Sequence, residues 1–380
     1  MVQSDAFATP AIGKPAFKKE NYLFSPAIDF LGLGGGSLIA FVLIFLFFDK
    51  DTFYPALAVS ALALANIANH PHFAHSYQIF YRNFPKKLVD RSYPANLRIR
   101  YLLSGIIVPI LLAGYLVGTF LAGKPKLLGL GATLMFFLVG WHYVKQGYGM
   151  AMVDAALKKQ FFSGKEKTAL MLNAYATWIF AWCFINRVVA EKKLLGLDVY
   201  VFPVPDLAFY ASAWAAASTL LWLIFVFTKN ALTEEKQYPL NGLLAYAVSL
   251  YPWMFFRDVS PVYFALVPFF HSVQYMTVVW RYEINASSAK AAPGKPQTPF
   301  WNLSKFYIIG IILGGLGFWG APLLLTDMIS YDQARFGASA FLFIFWIFIN
   351  VHHYFMDNVM WRKGNPDVAK HLFGARPKNS

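Results

Sequence analysis

The sequence predicts an all-α bundle of membrane-crossing helices, and three observations predict it. Hydrophobic residues make up 58% of the 380 positions, aromatics 18% and charged residues only 14%, which leaves too little polar surface for a soluble globule. The apolar residues recur in ten runs, each close to the length of a helix that crosses the hydrocarbon core. Lys and Arg gather in alternate loops, as expected when basic residues resist translocation.

The runs fall at 29–48, 53–80, 101–122, 127–150, 168–189, 207–228, 240–256, 261–280, 303–325 and 336–361. Residues 1–28, with Lys14, Lys18 and Lys19, lack the apolar stretch and small-residue cleavage site of a signal peptide and read as a cytoplasmic tail. Residues 29–361 then form the transmembrane domain and 362–380 a second cytoplasmic tail. The loop after the second run carries Arg82, Lys86, Lys87, Arg91, Arg98 and Arg100, which places it inside. Loop 229–239 is the least decisive, because Lys229 and Lys236 face Glu234 and Glu235. Residues 285–296, rich in Ala, Ser, Gly and Pro, read as a flexible linker.

The net charge of +14 follows from this topology and from attraction to anionic headgroups, and it does not imply nucleic acid. Cys183 is the only cysteine, so an intrachain disulfide and a cysteine-based metal site are both excluded. A bound metal would need His, carboxylate or Tyr ligands.

Seven of the eight histidines lie in the runs predicted to descend to the cytoplasm: His70, His72 and His75, then His142, His271, and His352 with His353. His371, in the tail, is the exception. Three of these runs place an aromatic and then an Arg nine residues after a His: His72 to Tyr81-Arg82, His271 to Trp280-Arg281 and His352 to Trp361-Arg362. In a continuous helix the His lies about 13 Å deeper than the interfacial aromatic. An ionisable ring at that depth needs a partner, which makes these positions candidates for function. Metal or haem ligation, a proton pathway and plain interhelical hydrogen bonding all remain open.

Helical spacing refines the set. His72 and His75 share a face, whereas His352 and His353 point about 100° apart. Asp357, four residues after His353, shares its face as a ligand or an orienting partner. Pro71 predicts a kink at His70. The candidate metal ligands are therefore His70, His72, His75, His142, His271, His352, His353 and Asp357. Lys145, Gln146, Gln274 and Tyr275 lie beside them as candidate cofactor-binding residues, with Lys145 able to pair with Asp357 or Asp154. Gly32, Gly34, Gly35 and Gly36 predict a close helix approach rather than a phosphate site.

His75-Ser-Tyr-Gln78 parallels His271-Ser-Val-Gln274, and His142-Tyr143 parallels His353-Tyr354, in the same order along the chain. That order suggests a duplicated three-helix unit related by an axis along the membrane normal.

The motifs His70-Pro-His-Phe-Ala-His75, Trp141-His-Tyr-Val-Lys-Gln146, His271-Ser-Val-Gln-Tyr275 and His352-His-Tyr-Phe-Met-Asp357 resemble those of bacterial multi-pass membrane proteins described as β-carotene dioxygenase-like. The general plan is also similar to that of membrane desaturases and hydroxylases, although the His spacings differ from theirs. The resemblance implies a His-ligated, non-haem iron oxygenase or oxidoreductase in a bacterial cytoplasmic membrane. A lipid or isoprenoid, carotenoid-like, would be its substrate and a redox partner its companion. Copper or zinc would also suit imidazole ligands. A haem b or quinone-linked electron carrier is the second reading and a metal-ion or proton transporter the third.

Overall fold

The computed structural model describes residues 21–47, 53–188, 193–194, 197–250, 262–289, 299–362 and 364–373. The membrane-like helical character predicted from composition is what the fold shows. Among the described residues seven helices are long and apolar enough to cross a membrane. They are α1 (Pro26–Phe47), α5 (Ala95–Leu121), α6 (Pro125–Lys158), α7 (Gly164–Arg187), α8 (Asp206–Thr233), α11 (Phe300–Met328) and α13 (Ala340–Met360). Shorter helices intervene: α2 (Phe53–Ala65), α3 (Asn69–Phe80), α4 (Phe84–Val89), α9 (Leu240–Leu250), α12 (Gln333–Phe336) and α14 (Pro366–Phe373). The run predicted at 261–280 lies in α10 (Val262–Ser288), which at 27 residues has spanning length. The tail 1–20 and most of the 285–296 linker fall outside the described residues, as does the second half of the 240–256 run. Two-residue strands, Lys193–Leu194 and Leu197–Asp198, pair antiparallel between α7 and α8.

The single helix predicted over 53–80 is instead two, α2 and α3, separated by a turn at 66–68. Partners distant in sequence hold that break open. Tyr307 donates to the Ile67 carbonyl, a group that a regular helix would satisfy internally, and the Trp319 indole donates to the Asn66 side chain at Oδ1, so α11 holds both residues of the turn. Pro71 therefore causes no kink. It is the third residue of α3, where its missing N–H has no intrahelical partner to lose.

Polar chemistry is set by irregular turns in otherwise regular helices. α1 is kinked at Gly34, α5 has a π-helical turn at Leu103–Ile107, and α11 has one at Leu316–Gly320. Such turns leave carbonyls that side chains on neighbouring helices can reach. Gln274 Nε2 donates to the Leu33 carbonyl at the α1 kink, and Tyr81 donates to the Gly105 carbonyl in α5.

Among the hydrophobic clusters of the described residues, three join the central helices. Ile79, Phe80, Tyr275, Val279 and Met356 join α3, α10 and α13. Leu128, Ala132, Met135, Phe343 and Ile347 join α6 and α13. Val144, Ala151, Ala169, Leu170 and Tyr246 join α6, α7 and α9. The helices that carry the predicted histidines, α3, α6, α10 and α13, are thus held against one another.

At the foot of α3, Lys87 donates to the carbonyls of Ile79 and Phe80 at 2.8 and 2.9 Å and so caps the helix. Burial lowers its pKa to about 8, with Asp367 opposing and Arg82 reinforcing the shift. The folded protein therefore loses this proton at a pH where the unfolded chain, with a Lys pKa of about 10.4, keeps it. Stability relative to a Lys87→Met variant is expected to rise between pH 8 and 10, approaching about 1.4 kcal/mol per pH unit. Thermal unfolding of both proteins at pH 7.5 and 9.5 checks this.

Candidate metal centre

α3 supplies His72, α6 supplies His142, and α13 supplies His353 with Asp357 one turn on. One ligand-capable atom from each of these four residues lies within 4.8 Å of the others, and all four residues are buried. His271 on α10 joins through His142, their Nε2 atoms being 3.1 Å apart. Two nitrogens bound to one first-row ion at about 2.0–2.1 Å, at tetrahedral to octahedral angles, lie about 2.8–3.4 Å apart. The rings crowd one another: His72 and His353 have centroids 4.5 Å apart, His142 and His353 4.8 Å, and His142 and His271 5.0 Å.

Several of these nitrogens lack a hydrogen-bond partner, namely His72 Nε2 and both Nδ1 and Nε2 of His353. A buried polar atom left unmade costs about 1–3 kcal/mol, so three on facing rings mark a place built for something else to bind. His353 Nε2 comes within 3.4 Å of Asp357 Oδ2, a contact without hydrogen-bond geometry.

The supporting residues fix orientation. The Ser272 hydroxyl lies 2.8 Å from the Pro268 carbonyl, 2.9 Å from Asn69 Oδ1 and 3.2 Å from His72 Nδ1. With its one proton given to either oxygen, it accepts from His72 Nδ1–H, which leaves the Nε2 lone pair facing the cluster. Asp357 Oδ1 lies 3.1 Å from both the Ser76 and the Tyr275 hydroxyls, which are 2.6 Å from each other, so one hydroxyl donates to the other and the second donates to the carboxylate, leaving Oδ2 on the cluster side. Tyr143 stacks on His271 at 3.9 Å and Tyr354 on His142 at 4.7 Å, so both rings are braced.

The remaining predicted residues stand elsewhere. His352 faces away from the cluster: its Nε2–H donates to the Ser104 carbonyl at 2.9 Å, in the π turn of α5, and its Nδ1 accepts from Tyr77 at 3.0 Å. His75 stacks on Phe306 at 4.2 Å and His70 on Phe318 at 4.3 Å, both against α11. Tyr275 touches the centre, its ring against His72 at 4.5 Å. Gln146 and Gln274 act as a tie between helices. Gln146 donates to the His271 carbonyl and to Gln274 Oε1, and Gln274 donates on to Leu33. Lys145 makes no ion pair among the described residues, because Asp154 is taken by Lys158 and the Gly242 N–H, and Asp357 faces His353.

Sequence reading gave no role to Ser76 and Ser272. Each directly follows a histidine in the His-Ser pairs whose likeness suggested a duplication, so the signal was present. No family model, curated protein or solved structure matches this chain, and the candidate centre stands on its own geometry.

Proposed function

We propose that the protein is a membrane metalloprotein whose buried centre holds one non-haem iron ion and acts as an oxygenase or oxidoreductase on an apolar substrate drawn from the bilayer. One observation carries the reading: ligand-capable atoms of His72, His142, His353 and Asp357 converge from three separate helices in a buried place, with a fourth imidazole, His271, touching them. A set of imidazoles and one carboxylate, without thiolate, suits iron, copper or zinc rather than calcium or magnesium. The mutual contact of the rings favours a single ion over haem b, since a porphyrin needs a slot between its axial ligands.

Iron held by such a donor set, with a coordination position left open, supplies oxygen activation. The chain's own part is to orient and to shield. Ser272 sets the His72 tautomer, Ser76 and Tyr275 set the carboxylate, and the surrounding bundle limits the access of water. The oxygenase activity, the lipid or isoprenoid substrate and the redox partner rest on the family resemblance and on the apolar surroundings.

Elemental analysis and an absorption spectrum of protein purified in detergent and reconstituted with iron(II) test the reading. About one iron per chain without a haem Soret band is expected. No retained transition metal would refute the centre, and a Soret band would replace it with the haem alternative.

A further inference from the structure

The four convergent side chains are all buried, His353 at 0% and Asp357 at 7% exposure, so an electron donor outside the bundle cannot touch an ion held between them. Reducing that ion needs a route through the protein, and one series of rings leads out. Tyr275 of α10 stands against the His72 ring with centroids 4.5 Å apart, and its hydroxyl lies 3.1 Å from Asp357 Oδ1. Trp361, which closes α13, meets Tyr275 edge to face at 5.9 Å, and its indole N–H donates to the Tyr275 hydroxyl at 3.4 Å. Tyr282 lies two turns along α10 from Tyr275, on the same face. Its ring meets Trp361 at 5.7 Å and the His371 ring of α14 at 5.4 Å.

Every step falls within the range of about 4.5–7 Å at which aromatic rings are in contact. The series also runs from inside to outside. Tyr275 and Tyr282 are buried, His371 is half-buried, and Lys370 beside it is exposed. Tyrosine and tryptophan hold the most easily ionised π electrons among the side chains, which makes them good mediators of electron tunnelling. A second series of rings starts at the centre but stays within the span: Phe73 meets His353 edge-on and passes to Phe318, in the π-helical turn inside α11. The Tyr275 series instead ends on α14, past the last residue of the α13 span.

We propose that Tyr275, Trp361 and Tyr282 form the electron path into the centre, carrying single electrons from a one-electron donor at α14 to the bound iron. The inference rests on the metal-centre reading. In each passage the donor loses one electron and iron(III) becomes iron(II). No bond is made or broken, and the rings keep their protons. The test uses the full chain with Cys183→Ser, reconstituted with iron and oxidised to iron(III). A ruthenium polypyridyl photosensitiser is attached at Lys370→Cys, beside the exit, or at Lys86→Cys, an exposed position on α4 outside the ring series. A flash in the presence of ascorbate generates the reduced sensitiser, transient absorption follows the loss of iron(III), and iron content is measured on the same sample.

With the label at Lys370→Cys, reduction is expected to slow about tenfold in Tyr282→Leu, where a gap in the packing replaces the ring, and to keep its rate in Tyr282→Phe. Trp361→Leu should slow it likewise, and serves in place of Tyr282→Leu should that variant fail to fold. With the label at Lys86→Cys, Tyr282→Leu should leave the rate unchanged. An unchanged rate in Tyr282→Leu from the Lys370→Cys label, with iron retained, overturns the path and leaves the centre standing. Equal slowing from both label positions overturns it too, because the substitution then acts on the centre and not on the route. A chain that retains no iron overturns the centre, and the path with it.

Discussion

Alanine at His72, His142 or His353 should lower metal affinity more than about 100-fold, since loss of even an orienting partner costs about 10–100-fold. The sharpest contrast is between neighbours. His353 has no hydrogen-bond partner on either ring nitrogen, so His353→Ala removes a ligand while relieving two unmade hydrogen bonds in the metal-free fold. His352 has both nitrogens satisfied, by Ser104 and Tyr77. His352→Ala should therefore retain the metal and lose about 1–3 kcal/mol of stability, from an orphaned buried carbonyl. His75→Ala, against α11, should likewise retain it. Iron content and metal-competition titrations, paired with thermal unfolding, separate the two phenotypes. Metal loss in His352→Ala with retention in His353→Ala would reverse the assignment.

Gly314→Leu is expected to be the most damaging single change away from the centre. A Cβ at Gly314 would stand 2.7 Å from the His70 carbonyl carbon and 2.8 Å from its oxygen, both backbone atoms that cannot swing aside. At Gly310, one turn earlier, it would stand 2.5 Å from the His75 ring. The pair lets α11 lie directly on α3, the small-residue spacing that packs helices closely in membranes. Overpacking costs about 1–3 kcal/mol and here would also push α3, and His72 with it, out of register. Reduced thermal stability together with lost metal is expected. A Gly314→Leu protein with wild-type stability and metal content would show that α3 has slack.

Much of the site was legible because it depends on helical periodicity. The divergence of His352 and His353 by about 100°, and the shared face of His353 and Asp357, follow from 3.6 residues per turn. Where the reading failed, the deciding partner was remote. His72 and His75 are three apart and so about 60° apart around the axis, which suffices to send one to α10 and α13 and the other to α11. The break at 66–68 leaves the apolar run unbroken in sequence, and its supports, Tyr307 and Trp319, lie some 240 residues away. Lys145, Gln146 and Gln274 were grouped by proximity to histidines along the chain, but the fold separates a half-buried Lys145 from an interhelical tie made by the two glutamines.

The π-helical turn in α5 amounts to one residue more than an ordinary helix would hold between the same two ends. A single-residue deletion within 103–107 would therefore do more than shorten a span. It would let the segment close into regular α-helix between the same two ends, returning its carbonyls to the helical ladder and withdrawing the acceptors that now receive His352 and Tyr81. Chain length at this point, as much as residue identity, sets the direction in which the α13 histidine pair is locked.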